Sequence, residues 1–145
     1  MDLDSCIAKG LINKSVFSNE IIIKEFNQAK THLETGERLF NSGEIDASII
    51  VAYLSLFHFA RIILYSEGYK ERSHFCVFQY LVEKYCKHEI SNLARNCLNY
   101  LSVRHKVQYD GLHANKTVPL DLIDDAHRMH QMVKNIMIQK KIING

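Results

Sequence analysis

The chain has 145 residues and a mass of 16.8 kDa, which corresponds to one domain built around a single core. Hydrophobic residues make up 47% and charged residues 23% of the chain, so the composition is that of a folded globular protein and excludes a disordered one. Its formal net charge is only +2, far from the strongly basic balance that is typical of duplex-binding proteins.

The first half of the chain predicts two long helices. Residues 1–17 are expected to hold only a short extra helix. Ser18 opens the first long helix, whose apolar residues keep largely to one face and which closes at Gly43. Residues 44–67 are apolar on nearly every side, which is typical of a central helix covered by its neighbours.

The second half predicts three more helices. Ser73 is a plausible N-cap for a shorter helix that reaches about Cys86. A helix over 89–109 follows, and Pro119 lies in the first turn of the last one. One proline and six glycines leave few breaks, which excludes a turn-rich all-β fold. The predicted fold is all-α, a single domain over residues 1–145 in which four main helices and a shorter one form an antiparallel up-and-down bundle.

One segment has to be tested as a membrane span. Residues 49–65 are almost continuously apolar, but His58 and Arg61 interrupt them. An arginine near the middle of a membrane span costs about 2.5 kcal/mol or more. A buried helix of a soluble protein is therefore favoured, with no membrane partner. Residues 1–4 lack the basic and apolar regions of a secretory signal, which predicts a cytoplasmic protein.

The four cysteines show no metal-binding or disulfide spacing. Cys6, Cys76, Cys86 and Cys97 include no C-x-x-C pair and lie in segments predicted as helix. We therefore expect reduced thiols, most of them packed in the core.

The fourth predicted helix, residues 89–109, changes chemistry near its end. Its apolar series continues by steps of three and four residues to Arg104, His105 and Gln108, and Tyr109 lies four residues after His105. A buried charge is costly unless it is paired. This end of the helix therefore either frays into solvent, where cations favour the negative end of the helix dipole, or faces a cleft or a partner chain.

Other polar residues have simpler interpretations. His58 lies among large apolar residues and is expected to be a satisfied core imidazole, with a polar link to Arg61 or Tyr53 as the alternative. Asp124, His127 and His130 share a helical face, but such a face must recruit further ligands to bind zinc, so an exposed polar face is favoured. We predict no metal and no cofactor, because P-loop, dinucleotide-binding and zincin motifs do not occur.

Three segments together resemble a known family. Residues 52–60 read A-Y-L-S-L-F-H-F-A, Ser73-His74 follows a short turn after them, and residues 104–111 read R-H-K-V-Q-Y-D-G. In this order and spacing, over roughly residues 20–140, they resemble small prokaryotic HEPN-domain proteins of the group paired with minimal nucleotidyltransferases.

The resemblance implies a helical bundle that forms a homodimer, with the polar motifs of the two chains brought close together. Many relatives are metal-independent endoribonucleases or toxins encoded beside a minimal nucleotidyltransferase, and others have lost the motif and act as binding partners. The nuclease motif is an arginine followed, after four to six residues, by a histidine. Here Arg104 is followed at those positions by Tyr109, Asp110 and Gly111, which is a degenerate Arg-x4-Tyr form.

Two functions are therefore expected from different classes. In the favoured one, the chain is the partner of a minimal nucleotidyltransferase in a toxin–antitoxin-like system and binds nucleotide or RNA at a dimer-interface cleft. Arg104, His105, Gln108 and Tyr109 would be its ligand-binding or interface residues, and Arg104 would clamp a phosphate. In the alternative, the chain is a metal-independent endoribonuclease toxin that uses Arg104 and His105, because histidine titrates near neutrality.

Overall fold

The computed structural model describes residues 1–145 as six helices and two short strands. The helices are α1 (Leu3–Ala8), α2 (Asn19–Asn41), α3 (Ile45–Ser66), α4 (His74–Lys84), α5 (Glu89–Tyr109) and α6 (Thr117–Gln139). The strands are β1 (Ile12–Lys14) and β2 (Tyr69–Glu71), which pair antiparallel with Ile12 opposite Glu71. The predicted all-α bundle is thus confirmed, with α2, α3, α5 and α6 as its long helices.

Side-chain caps set several of the helix ends. The Ser18 hydroxyl accepts a hydrogen bond from the Ile21 amide at 3.3 Å, and the Ser73 hydroxyl accepts one from the Cys76 amide, also at 3.3 Å. Gly43 and Gly68 follow the ends of α2 and α3 with φ of +83°, a left-handed conformation that glycine adopts at little cost. These local signals explain why the sequence predicts the long helices so closely.

The central helix α3 carries most of the core. It packs against α2, α4, α5 and α6, and thirteen of its residues are buried. Helices α2 and α3 approach closely at Gly36, where an added Cβ would lie 3.1 Å from the Cβ of Ala52. Helix α3 is long and apolar enough to cross a membrane, but 67% of its most apolar window is buried inside the bundle, as in the core helix of a soluble protein.

The prediction of reduced thiols is wrong for two of the four cysteines. Cys6 and Cys76 form a disulfide that joins α1 to α4, with their Cα atoms 5.9 Å apart. Cys97 is a free buried thiol, and Cys86 is free and exposed. The paired residues are separated by 70 positions, so only the packing of α1 on α4 brings them within disulfide distance.

The strand pair was not predicted. Each strand has only three residues, too few for the apolar alternation that identifies a strand in sequence. The pair ties the N-terminal segment to the turn after α3, and it is extended by a hydrogen bond from the Ser15 amide to the Gly68 carbonyl at 2.9 Å. It thereby fixes where Glu71 and the start of α4 lie relative to α3.

Candidate functional site

A row of aromatic and basic side chains runs along one face of α3. Tyr53, Phe57 and Arg61 are four residues apart and therefore lie one above another. His74, the first residue of α4, lies against this row: its ring stacks on Phe57 with centroids 3.7 Å apart. Its Nδ1 is hydrogen-bonded to the Tyr53 hydroxyl at 2.8 Å. The cap at Ser73 holds the turn that carries His74 in this place.

Arg104 reaches the same row from α5. Its guanidinium carbon lies 4.8 Å from the centroid of the Tyr53 ring, a cation–π contact. One terminal nitrogen donates to the Gln108 side chain at 3.3 Å, while its Nε is buried without a hydrogen-bond partner. No carboxylate forms an ion pair with Arg104, so its charge is available to an anion. We call Tyr53, Phe57, His74 and Arg104 the Tyr53 cluster.

The second arginine of the row, Arg61, is fully engaged. It donates to Glu71 at 2.8 Å and to Glu25 at 3.0 Å, and His58 is hydrogen-bonded to the same Glu25 carboxylate. Burial alone would raise the pKa of Glu25, but His58 and Arg61 outweigh it and hold that pKa below its usual value. This half of the row is an ion-pair network in which Arg61 is already paired with two carboxylates, so it offers no free cation to a ligand.

His74 is held as a neutral imidazole. Burial, reinforced by the charges of Arg104, Arg61 and His58, lowers the pKa of His74 to about 4. Burial also raises the pKa of Tyr53 well above its usual value, so its hydroxyl stays protonated. At neutral pH the Tyr53 cluster therefore presents one cation, Arg104, beside an uncharged imidazole.

A surface groove of about 430 Å³ opens beside Arg104, between α4 and α5. Phe75 and Leu101 form part of its apolar wall, Arg104, His105 and Lys106 supply basic groups, and Asp110 supplies one carboxylate at its edge. A groove of this composition can hold a phosphate on its cations and a base on its aromatic ring.

The four residues of the predicted site lie together at the end of α5 but differ in exposure. Only Arg104 is half-buried, whereas His105, Gln108 and Tyr109 are exposed. The Tyr109 side chain is 64% exposed and its ring lies 5.0 Å from that of His105. Beyond Arg104, only Val107 of α5 still packs against the core, while the polar side chains face outward, as expected for a helix end that faces solvent or a partner.

The three residues predicted to form a polar core, Tyr53, His58 and Arg61, belong to two separate groups of contacts. His58 and Arg61 meet through Glu25, while Tyr53 contacts His74 and Arg104 instead. The sequence reasoning missed His74 and Glu25 as members of the row. Glu25 could have been found, because it is a charged residue among the core-facing positions of α2.

The polar residues of α6 do not converge. The Nε2 atom of His127 is paired with Glu37 at 2.7 Å, whereas the His130 ring stacks on Phe59 with centroids 5.1 Å apart. Asp124 forms an ion pair within α6. Nowhere in the chain do three or more histidine, cysteine or acidic side chains come together to hold a metal ion.

The structure is a small bundle of long helices. The end of its penultimate helix, α5, is polar and lines a groove with basic side chains. The family model for the HEPN domain matches residues 24–136, which span most of this bundle. The chain therefore belongs to the HEPN family, whose domains are generally RNA-binding or RNase-related. No curated protein matches the chain.

Proposed function

We propose that this HEPN-type module binds the phosphate group of an RNA or nucleotide through Arg104. The observation that supports the proposal is that the Arg104 side chain is held in place but is not paired with a carboxylate. Its guanidinium rests on Tyr53, lacks any carboxylate partner and lines a groove with two further basic residues. An arginine in this state can clamp a phosphate with two charge-assisted hydrogen bonds.

We further propose that the protein works in the cytoplasm as a homodimer and as the partner of a minimal nucleotidyltransferase in a toxin–antitoxin-like system. The exposed apolar residues Tyr109, Leu112 and Leu120 support the dimer, because they lie together along the chain at the end of α5 and the start of α6. A partner chain on this surface would stand beside the groove that Arg104 lines. The ligand would then bind in a cleft at the dimer interface.

The second candidate function is metal-independent cleavage of RNA. It is favoured by one observation: His105 lines the same groove as Arg104. Such cleavage needs a base for the 2′-hydroxyl, a cation for the developing phosphorane charge and an acid for the leaving oxygen. His105 and Arg104 would supply the first two, and His105 of a second copy would supply the acid.

The binding proposal predicts that Arg104→Ala weakens RNA binding roughly 10- to 100-fold, the loss of about 1.5–3 kcal/mol expected for hydrogen bonds to a charged group. The measurement is fluorescence anisotropy of a labelled single-stranded RNA in EDTA at several salt concentrations. The slope of log affinity against log salt should fall by about one, because one phosphate contact is lost.

The matched control is Arg95→Ala. Arg95 lies on the same helix nine residues earlier, which places it on the opposite face at about 100° per residue. It is exposed, and its side chain donates a hydrogen bond to Asn92 of its own helix. Its replacement should leave affinity and salt slope unchanged. Equal binding by wild type and Arg104→Ala would reject Arg104 as the phosphate ligand.

The same proteins separate binding from cleavage. Labelled RNA is incubated in EDTA with wild type, Arg104→Ala and His105→Ala, and the products are resolved on a gel. Intact RNA with wild type favours the binding module. Cleavage that both substitutions abolish would favour the endoribonuclease instead.

The dimer proposal predicts a mass of twice 16.8 kDa by light scattering at micromolar concentration. Leu120→Glu should shift this mass toward the monomer, because a charge buried in an apolar interface is costly. Val16→Glu is the control, since Val16 is also exposed but lies outside that surface. A wild-type monomer would contradict the prediction.

A further inference from the structure

His74 is a polar residue that the proposed function has not used. Its Nδ1 is held by the Tyr53 hydroxyl and one ring face is covered by Phe57, but its Nε2 makes no hydrogen bond within the chain. An imidazole fixed at one nitrogen and free at the other has a defined direction for one further hydrogen bond. This is the arrangement of a residue that is positioned to contact a ligand.

We propose that His74 contacts the ribose 2′-hydroxyl of the nucleotide whose phosphate Arg104 binds, and that Tyr53 is its positioning residue. The inference rests on the proposed function, because Arg104 must hold the phosphate. It adds a specificity: the site would distinguish RNA from DNA, which differ at that position by the 2′-hydroxyl.

The Tyr53 ring places the two groups beside each other. Arg104 lies over the ring, and His74 is bonded to the hydroxyl of the same ring. Phe75, which follows His74 in the first turn of α4, lines the groove together with Arg104. His74 is not a lining residue of the groove, but it is half-buried next to Phe75. A ribose that extends from a phosphate on Arg104 toward the first turn of α4 would therefore approach His74.

The hydrogen-bonding groups of His74 and of a ribose 2′-hydroxyl are complementary. A 2′-hydroxyl is both donor and acceptor, so it pairs with Nε2 in either neutral tautomer of His74. The groups that face His74 are Tyr53, His58 and Arg61 from α3 and Arg104 from α5. Burial, reinforced by the positive charges of Arg104 and Arg61, opposes a cation at His74, so the imidazole acts as a neutral hydrogen-bonding group and leaves the phosphate to Arg104.

The test uses two probes that differ only in the 2′-hydroxyl, a short labelled oligouridylate and the matching oligodeoxyuridylate. Wild type should bind the ribose form about tenfold more tightly, the worth of one hydrogen bond. His74→Phe keeps an aromatic ring against Phe57 and should lose this preference while its affinity for the deoxy form stays within twofold. Tyr53→Phe should reduce the preference in the same direction, and Arg104→Ala should weaken binding of both probes.

The control is His127→Ala on the exposed face of α6, which should keep the wild-type preference. A second measurement needs no substitution: the imidazole NMR signals of His74 should shift on addition of the ribose probe and stay in place with the deoxy probe. A folded His74→Phe that keeps the preference, a wild type without one, or unmoved His74 signals would overturn the inference. If Arg104→Ala bound both probes like wild type, the proposed function itself would fail.

Discussion

Replacing Arg61 by methionine should destabilise the fold by about 3–5 kcal/mol, the cost of removing one partner from a buried ion pair. Arg61 is the only cation that contacts both Glu25 and Glu71, whose side chains are 10% and 7% exposed. Methionine fills much of the same volume but leaves two poorly solvated carboxylates without their arginine. Urea unfolding followed by circular dichroism measures the loss as a lower midpoint.

The matched control is Arg95→Met on α5, which removes an exposed arginine without a carboxylate partner and should change stability by less than about 0.5 kcal/mol. Adding Glu25→Gln and Glu71→Gln to Arg61→Met should restore part of the loss, because the uncompensated charges are then gone. A change below about 1 kcal/mol for Arg61→Met alone would show that water already solvates the network.

The difference in stability between wild type and Arg61→Met should depend on pH in a defined direction. Since the pKa of Glu25 in the fold lies below its unfolded value of 4.5, its ionised form stabilises the protein above that pH. The contribution is lost as the pH falls through the folded pKa. The stability gap between wild type and Arg61→Met should therefore narrow in acid.

The helices could be predicted because their signals are local. Ser18 and Ser73 cap α2 and α4 as expected, since an N-cap bond spans only three residues. The strand pair and the Cys6–Cys76 bond could not be predicted in this way. Both depend on how the first 14 residues pack on the rest of the chain, and no periodic pattern records that packing.

Only part of the candidate site could be predicted, because some of its residues carry a local sequence signal and others are brought in by tertiary packing. Arg104 interrupts an apolar stripe, which is visible in sequence, and the structure brings it into contact with Tyr53. His105 and Gln108 continue the same stripe, and Tyr109 lies four residues after His105, but all three side chains are exposed in the structure. His74 follows a helix cap and carries no periodic signal of its own, so only the tertiary contact with Tyr53 reveals it.

Reducing the Cys6–Cys76 disulfide should lower the free energy of unfolding by about 4 kcal/mol. The bond closes a loop over a sequence separation of 70, and a loop of that length restricts the unfolded chain by roughly this amount at 25 °C. Helix α1 has only six residues, two of them buried, and it is also joined to α4 by a hydrogen bond from the Leu3 amide to Glu83 at 2.7 Å. Thermal unfolding with and without a dithiol reductant measures the difference.

The double variant Cys6→Ala and Cys76→Ala is the control, since reductant should not change its midpoint. Thiol counting in denaturant checks the bond itself: two groups, Cys86 and Cys97, should react before reduction and all four cysteines after it. Four reactive thiols before reduction would contradict the disulfide. Because a reducing environment keeps thiols reduced, this bond would make the stability of the fold depend on the redox state of its surroundings. The effect would reach the candidate site, because Cys76 lies in the same helical turn as His74.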